Sequence, residues 1–115
     1  AVPPFPFCPK NCDCALDPRG LAIHFHQPPG PDDWPHIHFE GVSQGNGTGT
    51  ECYRLVDHTG YVMHITGRGS TVEAARSAAY KRIENIVIPR MYYRADIGEQ
   101  FQSQDSNALT QWNWL

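Results

Sequence analysis

The stretch Gly67-Arg68-Gly69-Ser70-Thr71-Val72-Glu73-Ala74-Ala75-Arg76-Ser77-Ala78-Ala79-Tyr80-Lys81-Arg82-Ile83-Glu84-Asn85 decides the fold. Val72, Ala75, Ala79, Ile83 and Ile86 recur at the spacing that lines one face of a helix. The alanines let that face approach a sheet closely. Ser70 and Glu73 stand at capping-box spacing, hydroxyl to orphan N–H and carboxylate reaching back. The pattern predicts one helix over about residues 71–85, and Pro89 forbids its continuation.

Working outward, the flanking segments change period from 3.6 to 2. Leu21–His26 alternates Leu21, Ile23 and Phe25 against Ala22, His24 and His26, a half-buried strand. His36–Val42 predicts a second strand with Ile37 and Phe39 inward. Ser43–Thr50 is a hairpin connection whose strongest turn signal is Asn46-Gly47. Glu51–Val56 and Tyr61–Thr66 follow as strands joined tightly through Asp57-His58-Thr59-Gly60, and Tyr92-Tyr93-Arg94 predicts a last short strand before Gly98. The expected architecture is α+β: about five short strands, mostly hairpin-linked into an antiparallel sheet, with the one main helix packed on one face. Nine of the ten prolines lie within the first 35 residues, so residues 1–20 are expected as an extended Pro- and Cys-rich arm and loop. Residues 21–101 form the folded domain, and 102–115 a polar tail carrying Trp112 and Trp114.

Size and charge narrow the function classes. The chain of 115 residues has room for one core. No apolar run approaches the roughly 20 residues of a membrane span, and no signal-peptide h-region is expected. A net charge of −3 argues against a nucleic-acid binder or a membrane-surface protein. From Arg54 to Arg94, however, seven cations face three anions, a local +4 inside an acidic chain. That excess fits a small phosphorylated ligand, or a solvated helix face carrying Arg76, Lys81 and Arg82.

Several constellations could carry chemistry. Gly67-Arg68-Gly69 precedes a helix N-terminus, where backbone N–H groups can hold an anion; a tight strand-to-helix turn needs the same glycines. His24-x-His26 and His36-x-His38 each place two imidazoles on one strand face, and pairing the strands would gather four for zinc or copper. The alternative is a solvent face that histidine happens to fill. Cys8, Cys12 and Cys14 could supply three zinc ligands, although paired Cys-x-x-Cys knuckles are missing; with Cys52 they could equally form disulfides or stay free thiols. Met91–Gly98 mixes aromatic bulk with Arg94 and Asp96. Arg94 offers a fixed fork of donors for phosphate or carboxylate, or else a surface pair with Asp96.

Tyr93-Arg94-x-Asp96-Ile97-Gly98, preceded by Val62, Thr66, Gly67, Gly69, Thr71, Glu73, Ala74, Ala79 and Tyr80 in order, resembles the C-terminal domain of the phosphoribosylamine–glycine ligase family, also called glycinamide ribonucleotide synthetase. The match runs from about Gly60 to Phe101 and more loosely back to Leu21. These are ATP-grasp ligases of de novo purine synthesis. They join glycine to phosphoribosylamine, with ATP converting the glycine carboxylate to an acyl phosphate. The resemblance implies that ATP and Mg²⁺ sit in central domains that this chain does not contain. It implies a small antiparallel domain that packs on the ATP-grasp core of the same polypeptide and helps wall the active site. Such a domain is expected to be cytoplasmic and inert alone, to hold no cofactor itself, and to have phosphoribosylamine or its product as ligand. Ala1–Phe7 would then be chain emerging from the core.

Two departures qualify the implied site. Many family members carry Arg where this chain has Tyr61, so Arg68, Arg94 and Asp96 become the candidate substrate-binding residues, with Tyr93, Ile97, Gly98, Gly67 and Gly69 as motif positions. The Pro- and Cys-rich opening is also unlike the family. A competing hypothesis is a free-standing metal-binding or protein-interaction module using the His pairs or the Cys cluster. A third is a secreted disulfide protein, since Asn46-Gly47-Thr48 fits a glycosylation sequon.

Overall fold

A computed structural model describes residues 1–6, 17–45 and 53–115. Six short strands and two helices follow in the order β1 (Ala22–Phe25), β2 (Ile37–Phe39), β3 (Val42–Gln44), β4 (Tyr53–Leu55), β5 (Met63–Ile65), α1 (Val72–Glu84), β6 (Ile86–Val87) and α2 (Ser106–Gln111). A 3₁₀ turn, Trp34–His36, precedes β2, and a π-helical turn, Phe101–Asp105, leads into α2. The α+β class with antiparallel sheets is as expected.

The strands divide into two sheets. β3-β4-β1-β6 form one, every neighbour antiparallel, and β2-β5 form the other. The expected strand His36–Val42 is cut short, because the chain turns at Glu40-Gly41, with Gly41 at φ +58°; Val42 then continues with Ser43 and Gln44, expected as hairpin connection, into β3, which pairs with β4. The tight link Asp57–Gly60 does not close a hairpin either. Asp57 accepts from the amides of His58 and Thr59, forming a polar turn that carries the chain from the large sheet to the small one. Asn46-Gly47 lies outside the described residues.

Alternation placed Ile23, Phe25 and Ile37 in the core, and the structure adds others. Ile23 and Val62 are fully buried, with Phe25, Ile37, Leu55, Ile86 and Ile88 nearly so, and Leu21, Phe39, Met63 and Ile65 packed against them. Val62 precedes β5, which is why it escapes the alternation that sends His64 and Thr66 outward. Val2 completes the core: the opening residues fold back, with the Val2 amide donating to the Gly60 carbonyl at 2.9 Å.

Helix α1 touches β5 and β6 and so spans both sheets. Its cap is Thr71, whose hydroxyl accepts from the Ala74 amide at 3.1 Å, one residue later than the expected Ser70–Glu73 box. With Thr71 as N-cap, the third helical position is Ala74, which has no carboxylate to reach back. Val72, Ala75, Ala79 and Ile83 are half-buried as predicted, but Ile86 is buried as part of β6, beyond the helix. Gly67 is needed for this packing, since a Cβ there would fall on the Ala75 carbonyl oxygen and lie 2.8 Å from the Ala79 amide nitrogen.

One expectation beyond α1 is corrected. Tyr92–Arg94 is not a strand: Tyr92 exchanges backbone hydrogen bonds with Ala1, while the Arg94 carbonyl accepts from a tyrosine hydroxyl. The polar tail is helical through Gln111, and Trp112 and Trp114 stay exposed, packed edge-on to each other at 6.2 Å.

Candidate functional site

Residues Tyr93–Gly98 lie in an irregular loop, and side chains of α1 fix its shape. Tyr80 is the first staple: its hydroxyl donates to the Arg94 carbonyl at 3.0 Å and accepts from the Ile97 amide at 3.2 Å. Arg76, one turn earlier on the same helix face, is the second. Its guanidinium donates to Gln102 Oε1 at 3.0 Å, to Glu99 Oε1 at 3.1 Å and to the Ala95 carbonyl at 3.4 Å, with its carbon 5.9 Å from the centre of the Tyr80 ring. Gly98 makes the close approach possible. At φ +78° it takes a backbone shape that side chains resist, and a Cβ would meet Val72 Cγ1 at 3.1 Å and Arg76 Cδ at 3.2 Å.

Arg94 and Asp96 stand on the outside of this loop as a bidentate pair, Nε to Oδ1 at 2.9 Å and Nη2 to Oδ2 at 2.7 Å. Hydrogen bonding from Arg94 holds the Asp96 carboxyl below its ordinary range, and the same bonds raise the guanidinium. Both side chains are well exposed, so the pair offers recognition geometry more than stability. A phosphate at Arg94 must share the fork with Asp96 or displace it.

Beside the loop opens a cleft of about 450 Å³, floored by Ile65, Ile83, Ile86 and Ile88 and walled by Tyr93, Arg94 and Ile97. Arg94 is the one Lys or Arg side chain among the described residues lining it. Asp96, Arg68, Gly67 and Gly69 do not line it. Arg68 is exposed on its turn and makes no hydrogen bond or ion pair with a described residue. The structure therefore gathers Tyr93, Arg94 and Ile97 at one opening, keeps Asp96 on Arg94, and leaves Gly67 and Gly69 as helix-packing positions.

Arg76 and Arg82 were not legible as positioning groups. Both belonged to the expected solvated helix face, yet Arg76 is 22% and Arg82 18% exposed, the latter paired with Asp33 at 3.1 Å. Only Lys81 of the three is exposed. The available signal was the i, i+4 spacing of Arg76 and Tyr80.

The four-imidazole cluster is not formed. β1, which holds His24 and ends just before His26, pairs with β4 and β6, while β2, which holds His38 and starts just after His36, pairs with β5, so His24 and His38 belong to different sheets. Among the described residues, no three His, Cys, Asp or Glu side chains come together as a metal site. Cys8, Cys12, Cys14 and Cys52 lie outside the described residues. Among the described residues no helix is long and apolar enough to cross a membrane.

Comparison with known proteins identifies the family. Phosphoribosylamine–glycine ligase of Corynebacterium ammoniagenes is 40% identical over 53 residues, covering 46% of this chain and 12% of that protein. Its namesake in Archaeoglobus fulgidus is 37% identical over 62 residues, covering 54% and 12%. That of Mycobacterium tuberculosis is 34% identical over 59 residues, covering 51% and 14%. The matched stretch is thus a small fraction of each relative. No solved structure gives a significant match. The family model described as phosphoribosylglycinamide synthetase, C domain, matches residues 24–100, from β1 through the whole Tyr93–Gly98 loop, and the chain belongs to that family.

Proposed function

We propose that the chain works as the C-terminal domain of an ATP-dependent phosphoribosylamine–glycine ligase of de novo purine biosynthesis, in the cytoplasm, helping to wall an active site built mainly by an ATP-grasp core. In this reading residues 21–101 are the functional domain, 1–20 are an arm and loop in which Ala1–Phe7 is the chain emerging from the ATP-grasp core, and 102–115 are a polar tail. ATP and Mg²⁺ belong to the core, which supplies the phosphoryl chemistry. This domain contributes no catalytic group.

One observation carries the reading: the Arg94–Asp96 pair is presented outward by a loop that α1 pre-shapes, at the edge of an open cleft. Such a surface is arranged to meet something. Pre-shaping matters because a guanidinium already held in place loses less freedom when it binds a phosphate or carboxylate. Arg94 is the proposed contact to phosphoribosylamine or its product, Asp96 holds its fork in orientation, and Arg68 is a second cation available to the phosphate. The nucleophile and the activating groups lie elsewhere in the assembled ligase.

The test is ADP release with ATP, Mg²⁺, glycine and phosphoribosylamine. The isolated chain is expected to be silent, and turnover by it would overturn the inert-wall reading. In the full ligase polypeptide, Arg94→Ala is expected to raise the KM for phosphoribosylamine or lower kcat. Unchanged kinetics would leave Arg94 with a structural role only.

A further inference from the structure

The small sheet carries an arrangement to which the ligase reading gives no role, although His64 also lines the cleft beside the Tyr93–Gly98 loop. In the β2–β5 pair, His38 stands directly opposite His64. Alternation sends Ile37, Phe39, Met63 and Ile65 toward the core, so the two imidazoles share the outer face and both are exposed. Their rings lie stacked, centroids 4.7 Å apart and planes 18° from parallel.

Each ring has a hydroxyl at one nitrogen. Thr66 Oγ1 is 3.0 Å from His36 Nδ1 and 3.4 Å from His38 Nε2. The hydroxyl has one proton and two lone pairs, so it donates to at most one of these rings and accepts from the other, or accepts from both. With the proton on the shorter contact, His38 donates from Nε2 and keeps the lone pair on Nδ1. Tyr61 Oη is 3.4 Å from His64 Nδ1. As acceptor there, it leaves the His64 lone pair on Nε2. Hydroxyl partners of this kind select the tautomer of an imidazole.

We infer that His38 and His64 form a cross-strand site for a borderline first-row divalent cation, copper(II) foremost, with nickel(II) and zinc(II) weaker. Imidazole nitrogen suits all three, and the natural affinity order places copper(II) highest. The reach is adequate. Directly opposed residues hold their Cβ atoms about 5 Å apart. Two nitrogens bound to one ion at about 2 Å each can therefore converge by ring rotation alone. The rings are stacked now, so binding turns them about χ2 and leaves the strands in place. Because no third His, Cys, Asp or Glu joins the group among the described residues, the rest of the coordination sphere is open to water or to a donor from another molecule. The site is accordingly exchangeable and chelate-like, unlike a closed structural zinc site.

The test titrates substoichiometric copper(II) into the full chain with its cysteines alkylated, in a weakly chelating buffer, while the imidazole NMR signals are followed. The expected result is selective paramagnetic broadening of His38 and His64. His38→Asn and His64→Asn should each weaken apparent affinity by more than about tenfold, and the double variant should be no worse than either single one. His26→Asn, on the other sheet, should bind as the parent does. These positions are exposed, so the variants keep the fold. Broadening spread evenly over all six histidines, or His64→Asn binding as tightly as the parent, would overturn the inference.

Discussion

The large sheet and the Tyr93–Gly98 loop are held by opposite means. β1 is the second strand from one edge, hydrogen-bonded on both sides, and Ile23 on it is fully buried. Its position follows from burial of apolar surface, worth roughly 25 cal/mol per Å². The loop buries almost nothing: Tyr93, Arg94, Ala95, Asp96 and Ile97 are all exposed. Its shape comes from one tyrosine hydroxyl, one guanidinium and one glycine. A domain can thus keep an exposed loop in a single conformation without giving it a core. Substitutions in the two regions should consequently fail in different ways.

The sharpest break is expected at Ile23. Ile23→Ala removes methyl groups from the packed centre and should destabilise the chain by about 3 kcal/mol, read as a shift in the urea midpoint with the slope unchanged. A loss well under about 1 kcal/mol would mean the sheet is not the stabilising region. Gly67→Ala comes next. It puts a methyl against the Ala75 carbonyl and should cost roughly 1–3 kcal/mol by lifting α1 from its strand-to-helix turn. Because α1 carries Tyr80 and Arg76, this variant also ought to loosen the loop, the one place where the two regions are mechanically joined.

A third substitution separates them. Tyr80→Phe keeps the ring and removes both hydrogen bonds, to the Arg94 carbonyl and from the Ile97 amide. Global stability should fall by less than about 1 kcal/mol, since the freed groups reach water. Amide exchange at Ile97 should accelerate while exchange at Ile23 does not. Equal acceleration at both sites would show that the loop opens only with the whole domain.

The same contrast explains what was legible in the sequence. Ile23, Phe25 and Ile37 were readable because alternation reports burial directly, and α1 because its apolar residues recur at helical spacing. Sheet membership was not readable. One positive-φ residue, Gly41, diverts β3 to another partner, and nothing local states which strands will pair. In the candidate site, Arg94, Asp96 and Gly98 could be singled out from residue type and motif order. Arg76 could not, because an arginine on a helix looks solvated until the segment that covers it is placed, and Glu99 and Gln102 arrive from beyond the motif. The gathering of His24, His26, His36 and His38 into one cluster failed for a related reason: only His24 and His38 lie within strands, and those strands join different sheets.

The smallest expected effect tests whether Arg94 is a free cation or half of a pair, and it is a proton measurement. Asp96 has its carboxyl lowered from the ordinary 3.8, first by hydrogen bonding from Arg94. A folded value below the unfolded one means that the pair's contribution is present above the ordinary carboxylate range and is lost as pH falls through the lowered folded value. At neutral pH, Arg94→Ala should therefore leave the unfolding midpoint essentially unchanged, since both side chains are exposed and well solvated. The carboxyl carbon signal of Asp96 should nevertheless titrate below 3.8 in the parent and move back toward it in Arg94→Ala. Asp17 supplies the internal control. It has the same two-residue spacing from Arg19, is lowered to about 2, and should respond to Arg19→Ala but not to Arg94→Ala. An Asp96 that titrates at its ordinary value in the parent would mean that the fork is open in solution. Arg94 would then meet an incoming phosphate without first releasing a partner, and the loop's pre-shaping would rest on Tyr80 and Arg76 alone.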